Sequence, residues 1–122
     1  MRMWLCDPEI MCQKHLCGEH LEMHMFFGSL KKRKKIDGYL KNNLFEPRSL
    51  YQRHKDLADE MIKRDYNHKT PMIEEECATI FDLPIQYQYW EVNRKKSFDD
   101  LIDRCPECRK RYEEKSNGNI KE

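Results

Sequence analysis

The sequence predicts an all-α fold: a single small domain of about three packed helices with long loops. Two stretches repeat apolar residues at helical spacing, and no stretch alternates strongly enough to demand a sheet. The chain has 122 residues, which is the length of one domain, and 39% hydrophobic against 37% charged residues predict a thin core under a charged surface. We therefore expect residues 1–122 to form one domain.

The first predicted helix has a clear start. Asp7 offers a capping side chain, Pro8 suits the first helical position, and Glu9 complements the helix dipole. We expect this helix to reach about Phe27 and to stop at Gly28. Its predicted buried face consists of Leu16, Met23, Phe27 and Leu30.

Two more helices follow in the prediction. One runs from about Ser49 to Arg64, after a loop over 31–47. Its predicted apolar side consists of Leu50, Leu57, Ala58, Met61 and Ile62. The last, over about 97–114, opens with Ser97 as its cap and is interrupted at Pro106.

Charge is balanced overall but uneven along the chain. The net charge is +1, so no global basicity indicates a nucleic-acid partner. A basic run, "KKRKK", is either a phosphate-binding footprint or a solvated loop. The run consists of Lys31, Lys32, Arg33, Lys34 and Lys35. No apolar stretch approaches the roughly 20 residues of a membrane span, and six cysteines without a regular framework predict a reduced, intracellular protein.

The first helix carries an unusual concentration of titratable residues, "KHLCGEHLEMHMFFG". His15, Glu19 and Glu22 fall on a stripe beside the predicted buried face. His20 and His24 are four residues apart and could supply half of a metal site, but the sequence places no third ligand. A solvated helix surface explains the same residues without any function.

Gly18 interrupts this helix. A glycine there costs roughly 0.5–1 kcal/mol relative to alanine, so we expect either a substrate or another backbone to approach closely.

Residues 1–72 resemble the pyrimidine-dimer DNA glycosylases, the phage and bacterial endonuclease V-type repair enzymes. The first helix matches that family's order of a His-Leu pair, a glutamate, the catalytic glutamate and Phe-Gly. The matching residues here are His15, Leu16, Glu19, Glu22, Phe27 and Gly28. The second helix ends in a similar pattern, at Glu60, Met61, Arg64, Tyr66, Asn67 and His68.

The resemblance implies a DNA glycosylase with AP lyase activity that forms a Schiff base between a terminal amine and the damaged nucleotide. A terminal amine suits this task because its pKa of about 7.7–8.0 leaves far more of it neutral at pH 7 than a lysine. Arg2 is bulky, so we expect Met1 to be retained and its amine to be the nucleophile. Glu22 is then the acid/base. Substrate contacts are expected from Arg2, Lys14, His15 and the basic run.

The sequence also departs from the family. Leu21 and Met25 stand where the best-known relatives carry phosphate-binding arginines. Two alternatives therefore stay open: a non-catalytic helical module that binds DNA or RNA, and an AP lyase acting on abasic sites or other lesions. For the preferred reading we expect a monomer whose partner is double-stranded DNA with damaged pyrimidines, and no membrane association.

The cysteines leave a further question open. "CPEC", with Cys105 and Cys108, has the spacing of a zinc knuckle, but no second pair accompanies it. One of Cys6, Cys12, Cys17 and Cys77 together with a histidine could complete a site. We expect no cofactor, and we keep as the alternative a structural zinc that stabilises the binding module.

Overall fold

Helix is the regular secondary structure of the part of the chain described by the computed structural model, which comprises residues 1–68, 71–72 and 74–117 without the side chains of residues 75 and 79. This confirms the all-α prediction. The α-helices are α1 (Gln13–Lys31), α2 (Asp37–Lys41), α3 (Leu50–Lys63), α4 (Ile85–Gln88), α5 (Arg94–Arg104) and α6 (Pro106–Ser116). Three 3₁₀ segments, Pro8–Ile10, Pro47–Ser49 and Glu74–Asp82, connect them. Among the described helices, none has the length and apolarity to cross a bilayer.

The limits of α1 differ from the prediction at both ends. Asp7 does cap a turn, because its side chain accepts the Glu9 amide at 3.0 Å, but that turn is the short 3₁₀ segment. The α-helix begins only at Gln13. It also continues through Gly28, whose carbonyl accepts the Lys32 amide at 3.1 Å. The extra turn buries Leu30, and tertiary packing of this kind outweighs the helix-stopping tendency of a glycine.

The core forms where α1 packs against α3. Leu16, Met23 and Leu30 are buried as predicted, but Phe27 is only half-buried. Its place in the core is taken by Phe26, which stacks on Phe45 with ring centroids 4.1 Å apart. Burying side chains of this size contributes roughly 1.5–3 kcal/mol each.

Helix α3 matches its predicted limits to within one residue at each end. Its predicted apolar side is wrong at one position, since Ile62 is 59% exposed. Arg53 and His54 are buried instead, because both find polar partners on α1. The predicted loop over 31–47 contains the short helix α2.

The C-terminal part of the described chain forms two helices that meet at a corner. Helix α5 begins at Arg94, with Asn93 as the cap that accepts the Lys96 amide at 3.0 Å. The prediction of Ser97 as the cap is therefore wrong: Ser97 lies inside α5, where it is buried. Pro106 interrupts the helix as predicted and then begins α6.

Candidate active site

The N-terminal segment, residues 1–6, lies along α1 and is held by two carboxylates of that helix. The Arg2 backbone N–H donates to Glu22 Oε2 at 3.1 Å. The Leu5 backbone N–H donates to Glu19 Oε2 at 3.4 Å. Because Glu19 and Glu22 are three residues apart, they lie on one helix face and bind the segment at two successive points.

These contacts position the terminal amine of Met1. Three covalent bonds separate that nitrogen from the Arg2 amide nitrogen, so the two lie at most about 3.7 Å apart. The amine is therefore within about 7 Å of Glu22 Oε2. Its charge is close enough to be one of the influences that lower the pKa of Glu22.

Two further contacts fix the rest of the segment. The Met3 amide donates to the Leu44 carbonyl at 2.7 Å, and the Ser97 hydroxyl donates to the Trp4 carbonyl. Leu5, the residue after Trp4, has a φ of 53°, a left-handed conformation that costs a non-glycine residue roughly 1–2 kcal/mol. The segment is thus held in a strained and defined path rather than trailing in solvent.

Glu22 has the electrostatic character of a proton-transfer group. Partial burial raises the pKa of Glu22 above its usual value, and the neighbouring charge of Glu19 acts in the same direction. The Arg2 amide and the terminal amine oppose this shift without cancelling it. A carboxyl whose pKa is moved toward neutrality can give and take protons more readily.

Glu19 is buried and paired with Arg53 of α3. The guanidinium donates through Nε to Glu19 Oε2 at 2.7 Å and through a terminal nitrogen to Oε1 at 2.8 Å. Arg53 also donates to the Cys6 carbonyl at 2.7 Å. The sequence placed Glu19 beside Glu22, but it gave no signal for Arg53, because the pairing joins residues 34 positions apart.

The Arg2 side chain borders a polar cleft next to the N-terminus. Its guanidinium pairs with Asp100 of α5 at 3.1 Å and lies 3.8 Å from the centroid of the Trp4 ring. Arg2 Nε is buried and has no hydrogen-bond partner in the described structure. The cleft has a volume of about 180 Å³. Its lining is mostly polar or charged and includes Arg2, Asn42, Asn43, Lys96, Asp100 and Arg104.

The basic run is divided between paired and unpaired residues. Lys31 pairs with Glu76 at 3.1 Å, and Arg33 lies 3.6 Å from Asp82. Lys32, Lys34 and Lys35 are exposed and form no ion pair with the described residues, and the same holds for Lys14 on α1. Four lysines are thus available to phosphates.

His15 is half-buried and belongs to a cluster of sulfur ligands. Its Nδ1 lies 3.2 Å from Cys12 Sγ and 3.8 Å from Cys108 Sγ. Cys105 completes the group, with its sulfur 3.8 Å from that of Cys12. The candidate ligand pair Cys105 and Cys108 is thereby joined by Cys12, the N-cap of α1, and by His15 of α1, which the sequence had offered only as members of a larger set.

A second cluster consists of imidazoles. His20 and His24 of α1 meet His54 of α3 and His68, which follows it. His20 and His68 share a hydrogen bond of 2.8 Å between their Nε2 atoms, and His24 and His54 share one of 3.1 Å. His20, His54 and His68 bring three ring nitrogens within 4.8 Å of one another, as a metal ion would require. The sequence analysis had offered only His20 of these three, together with His24, and it missed His54 and His68.

An exposed apolar pair lies beside Glu22 on α1. Leu21 is 61% exposed and Met25 is 47% exposed.

Gly18 lies one turn before Glu22, and a Cβ built there meets nothing within 4 Å. The described structure therefore brings no other backbone against Gly18, and the approach of a substrate there stays a prediction.

Comparison with known proteins identifies the family. The family model described as pyrimidine dimer DNA glycosylase matches residues 1–74. No curated protein and no solved structure gave a match. The matched part of the chain contains the N-terminal segment, α1 and α3, and so both sides of the contact between Arg2 and Glu22. Because the match covers more than half of the 122 residues, the chain belongs to the pyrimidine dimer DNA glycosylase family.

Proposed function

We propose that this protein removes one base of a pyrimidine dimer and nicks the DNA at the resulting abasic site, with the Met1 amine as nucleophile and Glu22 as acid/base. The observation that carries the proposal is the hydrogen bond between the Arg2 amide and Glu22. This hydrogen bond keeps the terminal amine of Met1 near the half-buried carboxyl of Glu22. The membership of the chain in the glycosylase family supports the same proposal.

The chemistry begins with the amine lone pair. The nitrogen attacks C1′ of the damaged nucleotide, the C1′–N bond to the base breaks, and the departing base takes up a proton. Opening of the sugar ring then gives a Schiff base between the Met1 nitrogen and C1′. Loss of a proton from C2′ expels the 3′ phosphate oxygen, which is a β-elimination.

Glu22 serves these steps in two ways. As a carboxylate it stabilises the positive charge that develops on the sugar and on the iminium nitrogen. Its raised pKa also suits it to accept the C2′ proton and to release it afterwards. A fully solvated glutamate would be a weaker base at the same position, because its pKa lies further from neutrality.

Charged residues around the site suit a phosphate backbone. Lys14 is exposed on α1, the same helix that carries Glu22, and the three unpaired lysines of the basic run follow its end. In the cleft, Arg2 and its neighbours Lys96 and Arg104 oppose the single carboxylate of Asp100. These groups would anchor DNA without reading its sequence.

One observation favours a second candidate, an AP lyase with a different lesion range. The exposed surface beside Glu22 is apolar at Leu21 and Met25, so it offers no phosphate contact there. An enzyme of the same chemistry that acts on abasic sites, where no base has to be displaced, would need fewer contacts around the lesion. A non-catalytic helical binding module is the remaining alternative.

Borohydride trapping distinguishes these candidates. The protein is incubated with dimer-containing, abasic and undamaged duplexes, and the reduced adduct is located by peptide mass. Trapping on dimer and abasic DNA at the N-terminal peptide supports the proposal. Trapping on abasic DNA alone supports the second candidate, and trapping at a lysine would refute the role of Met1. The absence of any adduct would refute both enzymatic candidates and support the non-catalytic binding module.

Two modified proteins sharpen the test. One additional residue before Met1 moves the amine by about 3.5 Å and should reduce trapping by more than tenfold, which is about 1.4 kcal/mol. Glu22→Gln should bind DNA normally but lose strand cleavage by roughly 10²–10⁴-fold. Glu91→Gln, at an exposed glutamate between α4 and α5, is the matched control and should cleave normally.

A further inference from the structure

The sulfur cluster brings together four side chains from two distant parts of the chain. Cys12 and His15 lie at the start of α1, and Cys105 and Cys108 lie at the corner between α5 and α6. Their ligand atoms all lie within 4.8 Å of one another. All three cysteines are buried, and His15 is half-buried. The ligand set reads as Cys-x-x-His followed by Cys-x-x-Cys.

We propose that these four residues, Cys12, His15, Cys105 and Cys108, bind one structural Zn²⁺ ion. Three thiolates and one imidazole form a ligand set that zinc commonly takes in structural sites. Because all four positions are filled by protein, none remains for a water or a substrate, and the site is structural rather than catalytic.

The distances fit a tetrahedral ion. Zinc–sulfur bonds of about 2.3 Å and zinc–nitrogen bonds of about 2.0–2.1 Å place neighbouring ligand atoms roughly 3.5–3.8 Å apart. The separation of Cys12 Sγ from Cys105 Sγ is 3.8 Å, and that of Cys108 Sγ from His15 Nδ1 is also 3.8 Å. Cys12 Sγ and His15 Nδ1 are slightly closer, at 3.2 Å. Small side-chain rotations would therefore accommodate the ion.

A disulfide explains the cluster less well. A sulfur–sulfur bond is about 2.05 Å long, which is far shorter than the separation of Cys12 and Cys105. All three cysteines are unbridged. A disulfide would also use only two of the sulfurs and leave the third cysteine and His15 without a role.

Backbone amides already stabilise the sulfur atoms in the way that metal-bound thiolates require. The Cys12 amide donates to Cys108 Sγ at 3.2 Å, and the Cys108 amide donates to Cys105 Sγ at 3.4 Å. Cys105 also caps the N-terminus of α6, where the helix dipole favours negative charge. Such outer contacts orient ligands and reduce the charge on the sulfurs.

The proposed ion would reach the candidate active site through α5. It joins the start of α1 to a helix that carries Asp100 and Ser97, and these residues hold Arg2 and Trp4 of the N-terminal segment. Zinc would thus stabilise the position of α5, and with it the contacts of Asp100 and Ser97 that hold the N-terminal segment and its Met1 amine. Two of its ligands lie beyond residue 74, outside the family match, which gives the C-terminal helices a role of their own.

Metal content tests the proposal directly. The protein, purified under reducing conditions and without a metal-affinity step, should contain one zinc ion per chain by native mass spectrometry and elemental analysis. Replacement by Co²⁺ should give the d–d bands of a tetrahedral site with an intense thiolate-to-cobalt charge-transfer band. A preparation that takes up neither metal, or a cobalt form without the charge-transfer band, would overturn the proposal.

Variants locate the ion. Cys108→Ser should reduce zinc affinity more than tenfold and weaken the charge-transfer band by about one third, because two of the three thiolates remain, whereas Cys77→Ser, at a buried cysteine outside the cluster, should retain the full affinity and band. His68→Gln should also retain them, since it alters only the imidazole cluster. Zinc lost from His68→Gln but kept in Cys108→Ser would place the ion elsewhere and refute the assignment. If Cys108→Ser does not fold, the wild-type cobalt spectrum alone decides.

Discussion

The buried ion pair between Glu19 and Arg53 offers the sharpest test of how this fold holds its N-terminal segment. Their side chains are 0% and 5% exposed, and the guanidinium makes two hydrogen bonds to the carboxylate. In Arg53→Met the carboxylate would stay buried with the Leu5 amide, 3.4 Å away, as its remaining partner from this set. The largest loss in this variant is therefore the pairing of one buried charge.

The expected destabilisation is about 3–5 kcal/mol, the usual cost of removing one partner of a buried pair. The entropy of unfolding for 122 residues is about 0.26 kcal/mol per degree, so the Tm should fall by roughly 12–20 °C. The Cys6 carbonyl also loses its donor, which adds about 1 kcal/mol and a further fall in Tm of roughly 4 °C. Urea denaturation followed by circular dichroism measures the free energy of unfolding.

Two comparisons make this test decisive. Glu19→Gln/Arg53→Met removes both charges and should recover part of the loss, since no unpaired ion remains. Lys95→Met breaks the exposed pair with Asp99 and should cost less than about 1 kcal/mol. If Arg53→Met behaved like Lys95→Met, the claim that this pair fastens the N-terminal segment would be wrong.

Four further predictions follow from the site and its surroundings. Gly18→Ala should raise the free energy of unfolding by about 0.5–1 kcal/mol and, if DNA approaches α1 there, should weaken duplex binding in a fluorescence anisotropy titration. Burial and three neighbouring histidines lower the pKa of His20 to about 4. Its contribution to stability is therefore complete above about pH 6.5 and is lost toward pH 4, by about 3 kcal/mol, and His20→Gln should flatten that part of a pH series of urea titrations. Asp100→Asn should slow borohydride trapping by up to about 100-fold by releasing Arg2, while Asp99→Asn leaves the rate unchanged. DNA affinity should fall steeply with salt, and neutralising the three unpaired lysines of residues 31–35 should reduce the slope of log K against log salt by about 3.

The sequence predicted the features that depend on nearby residues. Helix α3 and the break at Pro106 were located to within a residue or so, because caps, prolines and apolar spacing act over a few positions. The prediction failed at Gly28, where the burial of Leu30 carries α1 one turn further. It also failed at Ile62, since periodicity cannot tell a buried position from an exposed one at the edge of a stripe.

The residues of the candidate site also fall into those that nearby sequence predicts and those that it does not. Met1 and Glu22 were named from the family's order of residues, which is local information. The groups that hold the segment against α1 were not: Arg53 looked like an ordinary surface residue of a polar helix, and Ser97 was predicted to be a helix cap. Arg53 is buried because it pairs with Glu19 and donates to the Cys6 carbonyl, and Ser97 is buried where its hydroxyl donates to the Trp4 carbonyl. Sequence spacing does not indicate contacts between residues so far apart along the chain.

The sulfur cluster shows why one Cys-x-x-Cys was not enough to settle the question of zinc. Its spacing fixes two ligands on one turn, but a structural site needs four, and the other two come from 93 residues away. Cys12 and His15 are themselves three residues apart, a second half-site that resembled ordinary helix residues until the fold placed it opposite the first. Ligand sets divided in this way are recognisable only as pairs of short spacings. A Cys-x-x-His at a helix start therefore merits the same attention as a Cys-x-x-Cys whenever both occur in one small domain.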